Sequence, residues 1–185
     1  MFLSKQLLKR DLFYKGYLPL ISSKVTNNEV ILTVLYSNLI FSLKLLKKHA
    51  NFKFKILSCI SGVDLLDQNY RFSVVYDLLS LTFNSRLRIK SFINEATAAL
   101  SIINVHVNAN WWEREIWDLY GIYFKKHNDM RRLLTDYGFD GYPMRKDFPL
   151  YGYLEVCYNE KKKRITYESI QLSQAFRNFS FEISV

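Results

Sequence analysis

Two glutamates flank an arginine in Glu113-Arg114-Glu115, and paired carboxylates are the usual equipment of general acid–base chemistry. Glu113 has a simpler use. It stands three residues after Asn110, the spacing of a capping box in which asparagine caps a helix and glutamate reaches back to it. Arg114 neutralises its neighbours and precedes Asp118 by four residues, the spacing of a pair on one helix face. Arg131-Arg132 and Arg145-Lys146 are of the kind that binds phosphate. Asp129, Asp136 and Asp147 are interleaved with them, which points instead to salt bridges, internal or across an interface. His49, His106 and His127 lack metal-ligand spacing and read as surface or satisfied core residues. Cys59 and Cys157 fall short of the roughly four thiolate-type ligands of an iron–sulfur cluster. They read as small core hydrophobes in a reducing compartment. No glycine-rich dinucleotide or P-loop motif occurs. The sequence therefore predicts no catalytic, cofactor-binding or metal-binding residue on this chain.

These groups need elements to hold them. Trp112, Ile116 and Leu119 recur at i, i+4, i+7 and predict a helix with one apolar stripe, ended by Gly121. Beyond Lys125 the pattern breaks. Arginines and aromatics (Arg131, Arg132, Tyr137, Phe139, Tyr142, Arg145, Phe148) are scattered without period among Gly138, Gly141, Pro143 and Pro149. An arm of this composition does not bury its anchors in a helix–sheet layer of its own. Either it closes as a long loop on its own domain, or it lies on another chain, where Arg and aromatic residues are enriched. Gly138 and Gly141 supply turns along it.

Upstream, the alternation predicts a helix over residues 2–14, with Phe2, Leu7, Leu8, Leu12 and Phe13 buried. A polar turn follows at 24–28, then a strand at 29–36. Ser37 is placed to cap a second helix with Leu39, Phe41, Leu43, Leu45 and Leu46 on its apolar face. Strands follow at 52–60, interrupted by Gly62, and in a hairpin at 71–83 and 86–93, with a short helix at 94–101. Helices on one side of hairpin-linked strands make an α+β fold, a two-layer sandwich with a mixed β-sheet. The expected division is a globular domain over 1–124 and an extended, irregular C-terminal arm over 125–185.

The chain's 185 residues are 49% hydrophobic, enough for a real core and outside the range of disordered chains. Formal net charge is +9, which suits an acidic partner, whether RNA, an anionic membrane face or a protein. No apolar run approaches the ~18 residues of a transmembrane span. The basic, amphipathic first fifteen residues read as a surface helix rather than a targeting segment.

Several stretches resemble one family. They are Arg71-Phe72-x-Val74-Val75-Tyr76-x-Leu78-Leu79-Ser80, Asn84-Ser85-Arg86-x-Arg88-x-Lys90, Glu113-Arg114-Glu115 and Asp118-Leu119-Tyr120-Gly121-Ile122. The longest is Asp136-Tyr137-Gly138-Phe139-x-Gly141-x-Pro143-x-Arg145-Lys146-Asp147-Phe148-Pro149, and the likeness continues through Glu155-Val156, Tyr158 and Gln174-x-Phe176-Arg177. Together they resemble the 30 kDa subunit of respiratory NADH:ubiquinone oxidoreductase (complex I), called subunit 9 when mitochondrially encoded, and its bacterial counterpart. Tyr142 departs from the family's usual histidine, and Ser169 and Gln171 lie near where it usually has proline and glutamate.

The resemblance implies a structural subunit without cofactors of its own, flavin and iron–sulfur clusters being carried by other subunits. It implies a place in the peripheral arm, next to the 49 kDa subunit and the quinone-reducing module, with the C-terminal arm lying along that neighbour. The interface residues it implies are Arg131, Arg132, Asp136, Tyr137, Gly138, Phe139, Gly141, Pro143, Arg145, Lys146, Asp147 and Phe148. The signature helix carries Trp112, Glu113, Arg114, Glu115 and Asp118. The implied location is the matrix side of the mitochondrial inner membrane, or the cytoplasmic face in bacteria, with neither nucleic acid nor a membrane span. The alternative is a basic RNA-binding protein of a ribosome, which net charge permits but which lacks an RNP-like or KH-like motif.

Overall fold

The computed structural model describes residues 11–26, 29–66, 68–175, 177 and 179. The chain forms two compact units, Met1–Lys146 and Asp147–Val185. The first unit therefore runs past residue 124, because the segment up to Lys146 is hydrogen-bonded to it.

In the first unit, residues 11–17 are helical (α1). Strands β1 (Leu20–Thr26) and β2 (Glu29–Val34) follow, then a 3-10 turn and helix α2 (Leu39–Lys48). Next come β3 (Ile56–Asp64), β4 (Phe72–Ser80), β5 (Ser85–Ile93), the two-residue β6 (Ala99–Leu100), helix α3 (Ala109–Tyr120) and β7 (Phe124–Lys125). The main sheet has the order β1-β2-β5-β4-β3. Only the β2–β5 pairing in it is parallel, so the sheet is mixed and the α+β reading holds.

Period-two alternation sends Val30, Leu32 and Val34 of β2, Leu87 and Ile89 of β5, and Val74, Tyr76 and Leu78 of β4 to one face. Leu39, Leu43 and Leu46 of α2 and Ile116 of α3 complete the core with them. Lys47 and Lys48 fill the last turn of α2, where the helix dipole favours cations.

Several expectations are corrected. Phe2, Leu7 and Leu8 lie outside the described residues; Leu12 and Phe13 are exposed, while Tyr14 and Leu18 are buried. The polar stretch from Lys24 is strand, because an edge strand tolerates polar residues that pair with only one neighbour. Ser37 lies in the 3-10 turn, and the N-cap of α2 is Asn38, without a side-chain cap bond. Phe41 faces solvent and Ser42 takes its place inside. Residues 94–101 form turns and β6 rather than a helix. Gly62 lies inside β3 and does not break it. A Cβ there would stand 2.7 Å from the ring of Tyr120, so the glycine lets α3 approach the strand closely. Cys59 is half-buried, its thiol donating to Asp77 at 3.5 Å.

In the second unit the arm is not irregular throughout. β8 (Leu154–Asn159) and β9 (Arg164–Ser169) form an antiparallel hairpin around the basic turn at 160–163. Phe148 stacks edge-on against Tyr153 at 5.3 Å, and Gly152 adopts φ 73°.

Candidate functional site

Helix α3 carries the signature residues. It ends as its sequence predicts, at Gly121 with φ 74° and its N–H bonded to the Trp117 carbonyl. It begins differently. Its N-cap is Asn108, whose amide donates to the Leu57 carbonyl at 2.8 Å instead of capping. The buried residues are Ala109, Glu113, Arg114, Ile116 and Asp118. Trp112 packs against the core but stays half-exposed, and Leu119 is also only half-buried. The expected Trp-Ile-Leu stripe thus holds at Ile116 and in part at Trp112, but not at Leu119, and the helix has two buried faces. Ala109, Glu113 and Ile116 face the core; Arg114 and Asp118 face the segment that follows Arg131.

Glu113 does not close a capping box. Fully buried, its Oε1 accepts the Ile102 N–H at 2.7 Å and ties the 101–108 loop to the helix. Burial pushes its carboxyl up to about 7, against the pull of hydrogen bonds from Ile102 and Ser101. Its Oε2 lies 3.9 Å from His127 Nε2. That imidazole accepts the Asp129 N–H at Nδ1, so its Nε2 carries the proton and faces the Asn110 carbonyl at 3.3 Å. Nearby in sequence, His106 is buried with no hydrogen bond to Nε2, and burial, helped by Lys47, lowers its pKa to about 4.

Arg114 and Asp118 do not pair with each other. Arg114 donates to the Arg131 carbonyl at 3.1 Å and to the Arg132 carbonyl at 3.4 Å. One turn on, Asp118 accepts the backbone N–H groups of Leu133, Leu134 and Thr135 at 3.1, 2.6 and 2.9 Å. It also accepts the Thr135 hydroxyl at 2.6 Å and Arg132 Nη1 at 3.2 Å. The helix therefore presents a cation to carbonyls and an anion to amides, and the backbone of 131–135 is gripped by both ends. Burial alone would raise the Asp118 carboxyl; these hydrogen bonds outweigh it and hold it below the usual carboxylate range.

Two further guanidiniums fasten the rest. Arg132 donates to the Gly141 carbonyl at 3.0 Å and lies over Tyr142 and Phe139. Arg145 donates to the Tyr120 carbonyl at 2.7 Å, at the helix C-terminus, and pairs with Glu95. It stacks on Tyr142 at 4.6 Å and on Phe72 at 5.2 Å. The Lys146 N–H bonds Asp64 at 2.9 Å. Gly138 and Gly141 turn the chain at φ 69° and 89°.

Arg132 and Arg145 thus bind their own domain, correcting the expectation that the arm lacks internal partners for its anchors. Their fork geometry satisfies carbonyls that an aperiodic segment would otherwise leave bare. Arg131 pairs with Asp129 at the surface, Tyr137 is 99% exposed, and Asp136, Lys146 and Asp147 are exposed. Phe139, Pro143 and Phe148 are half-buried, as is Glu115. Among the described residues no group of three His, Cys, Asp or Glu is placed to hold a metal ion. Nor is any helix long and apolar enough to cross a membrane.

Gly121 is a critical joint in this arrangement. A Cβ there would stand 2.6 Å from the Tyr142 ring and 2.7 Å from Arg145 Nη2. Gly121→Ala is expected to destabilise by at least about 1–2 kcal/mol from the left-handed backbone alone. A denaturation midpoint unchanged from wild type would contradict this.

The family described as the respiratory-chain NADH dehydrogenase 30 Kd subunit matches residues 32–154. The chain is 49% identical over 156 residues to NADH-ubiquinone oxidoreductase subunit 9 of Reclinomonas americana, covering 84% of this chain and 76% of that relative. It is 47% identical over 153 residues to a subunit of the NADH-quinone oxidoreductase of Paramagnetospirillum magneticum, covering 83% of this chain and 77% of that one. Among solved structures, its fold matches a chain of the membrane-bound sulfane sulfur reductase, an archaeal respiratory membrane complex. The TM-score is 0.65 at 21% identity, covering 80% of this chain and 86% of that one. The signature helix, the segment it grips and these relatives agree: the chain belongs to the 30 kDa subunit family of the respiratory-chain NADH dehydrogenase.

Proposed function

We propose that the chain is a scaffolding subunit, without a cofactor of its own, in the peripheral arm of NADH:ubiquinone oxidoreductase. It stands next to the 49 kDa subunit and the quinone-reducing module, on the matrix side of the inner membrane or the cytoplasmic face in bacteria. The observation that carries this reading is the β8–β9 hairpin. Register puts Val156 opposite Tyr167 and Tyr158 opposite Ile165, so Leu154, Val156, Tyr158, Ile165 and Tyr167 share one face. All five are more than half exposed, while Glu155, Arg164, Thr166 and Glu168 line the other face. A two-stranded ribbon is marginal by itself, and an exposed apolar face of this kind marks a protein–protein contact. It gives the second unit a grip on a neighbour. Held there, it keeps adjoining subunits in register, and electron transfer runs through their cofactors.

The test is assembly. Tyr158→Ser with Ile165→Ser is expected to leave the first unit folded by near-UV circular dichroism, yet to abolish recovery of the chain with flavin- and iron–sulfur-bearing subunits. Undiminished recovery would sink the reading. Elemental analysis of the folded chain is expected to find neither iron nor zinc in stoichiometric amount; the two cysteines, Cys59 and Cys157, lie in different units. The RNA-binding alternative falls with the family assignment, and Arg132 and Arg145 spend their donors on backbone carbonyls and carboxylates.

A further inference from the structure

The main sheet has a second face, turned away from the helices. One row across it runs Lys24, Ile31, Arg88, Asp77, Cys59, by the registers of five strands. The next row brings Lys90 beside Val75, and at the near end Arg86 stands opposite Leu79. The charges on this face do not cancel. Arg88 takes both nearby carboxylates, Asp77 at 2.7 Å and Glu29 at 3.5 Å. Among the described residues Lys24, Arg86 and Lys90 are left without an ion-pair partner. Ile31 and Leu79 lie between them, half-buried.

The surface is also indented. The register of β3 shifts between Leu57 and Cys59, and beside that bulge lies a notch of about 180 Å³. Ser58, Cys59, Asp77, Arg86 and Arg88 are among its lining residues. A notch of this size accommodates a single side chain, and the uncommitted guanidinium at its wall is Arg86.

We propose that this face docks an acidic protein surface: an apolar ridge flanked by aspartates and glutamates, whose carboxylates reach Lys24, Lys90 and the Arg86 guanidinium at the mouth of the notch. Arg recognises carboxylate with two parallel hydrogen bonds, and lysines on either side supply the complementary field. A nucleic acid fits less well. Ile31 and Leu79 have nothing to contact on a phosphate backbone. The inference rests on the chain's working inside a larger assembly, and it adds a contact separate from the hairpin.

A zero-length carbodiimide cross-link tests it directly, because the reagent activates a carboxyl and leaves an amide between that carboxyl and a lysine amine, with loss of water. In the purified assembly, Lys90 or Lys24 is expected to appear by mass spectrometry joined to an Asp or Glu of another chain. Amine acetylation should likewise lose both lysines on going from free chain to assembly, while Lys44 on the outer side of helix α2 keeps its reactivity. The Arg86→Glu, Lys90→Glu double variant, folded by circular dichroism, should leave the assembly at lower salt than wild type. Cross-links confined to this chain, or lysines equally reactive in both states, overturn the proposal. So does protection that nuclease or lipid extraction removes. A wild-type chain recovered in no assembly defeats the scaffolding reading as well; a wild-type chain recovered in one with both lysines reactive defeats this inference alone.

Discussion

Asp118→Ala is expected to lower the unfolding free energy by about 3–5 kcal/mol, the range for stripping one partner from a buried charge pair. Asp118 is fully buried and accepts three backbone N–H groups, one hydroxyl and one guanidinium. Alanine leaves all of these donors facing a hole that nothing else on α3 fills. Asp118→Asn keeps the shape but turns an amide NH2 toward some of the same donors, so it is expected to be little better. The damage should be local first. Limited proteolysis is expected to open the 131–146 segment before the sheet unfolds. The dependence on acid has a definite sign. The carboxyl of Asp118 is held below its ordinary value, so its contribution is present above that value and is lost as pH falls through the lowered one. A variant with wild-type stability and an unchanged cleavage pattern would show that the grip on the segment is dispensable.

Glu113 and His106 are expected to oppose each other in their effect on stability against pH. The Glu113 carboxyl titrates near 7 in the fold against 4.5 when unperturbed. Its contribution is full below the unfolded value and is lost as pH rises through about 7. His106 titrates near 4 in the fold against 6.5 when unperturbed, so its contribution is present above 6.5 and lost as pH falls through about 4. Each amounts to about 3 kcal/mol at most. In the wild type the two trends nearly cancel across that window. Glu113→Gln removes one of them, and the variant's stability is then expected to rise with pH, relative to wild type, by up to about 3 kcal/mol. Urea midpoints of both proteins at several pH values give the difference directly, and groups common to both drop out. A difference that stays constant with pH would mean that Glu113 does not titrate in this window.

The sheet was legible in the sequence because its signal is physical and repeated. Val30, Leu32 and Val34, or Val74, Tyr76 and Leu78, alternate as one-sided burial demands. The end of α3 was legible for a similar reason, since few residues besides glycine take a left-handed backbone easily. The roles of Glu113, Arg114 and Asp118 were not. Charged residues at helical spacing satisfy local rules for caps and i,i+4 pairs, and the sequence does not say that the loop before the helix will claim Glu113 or that the segment after it will claim Arg114 and Asp118. β1 was missed because Ser22 and Ser23 interrupt its apolar residues and the stretch from Lys24 reads as a turn, a composition that suits an edge position. The hairpin at 154–169 was missed because its apolar residues face outward and supply no core pattern.

The parallel pairing of β2 with β5 has a consequence for the order in which the fold is made. β2 ends at Val34 and its partner begins at Ser85, so β3 and β4 must emerge from the ribosome before β2 can acquire its inner neighbour. Until then β1 and β2 form a lone ribbon bare on both edges, and the β2 edge is a template for pairing with the wrong chain. The later strands, β3, β4 and β5, are joined by short local returns and close with little loss of loop entropy. The natural sequence is a carboxyl-side meander that forms first and an amino-terminal ribbon that waits for it. During synthesis the earliest-made strands of the sheet are therefore the last to be locked in, and the nascent chain is at its most vulnerable to misassociation before residue 93 has cleared the exit tunnel.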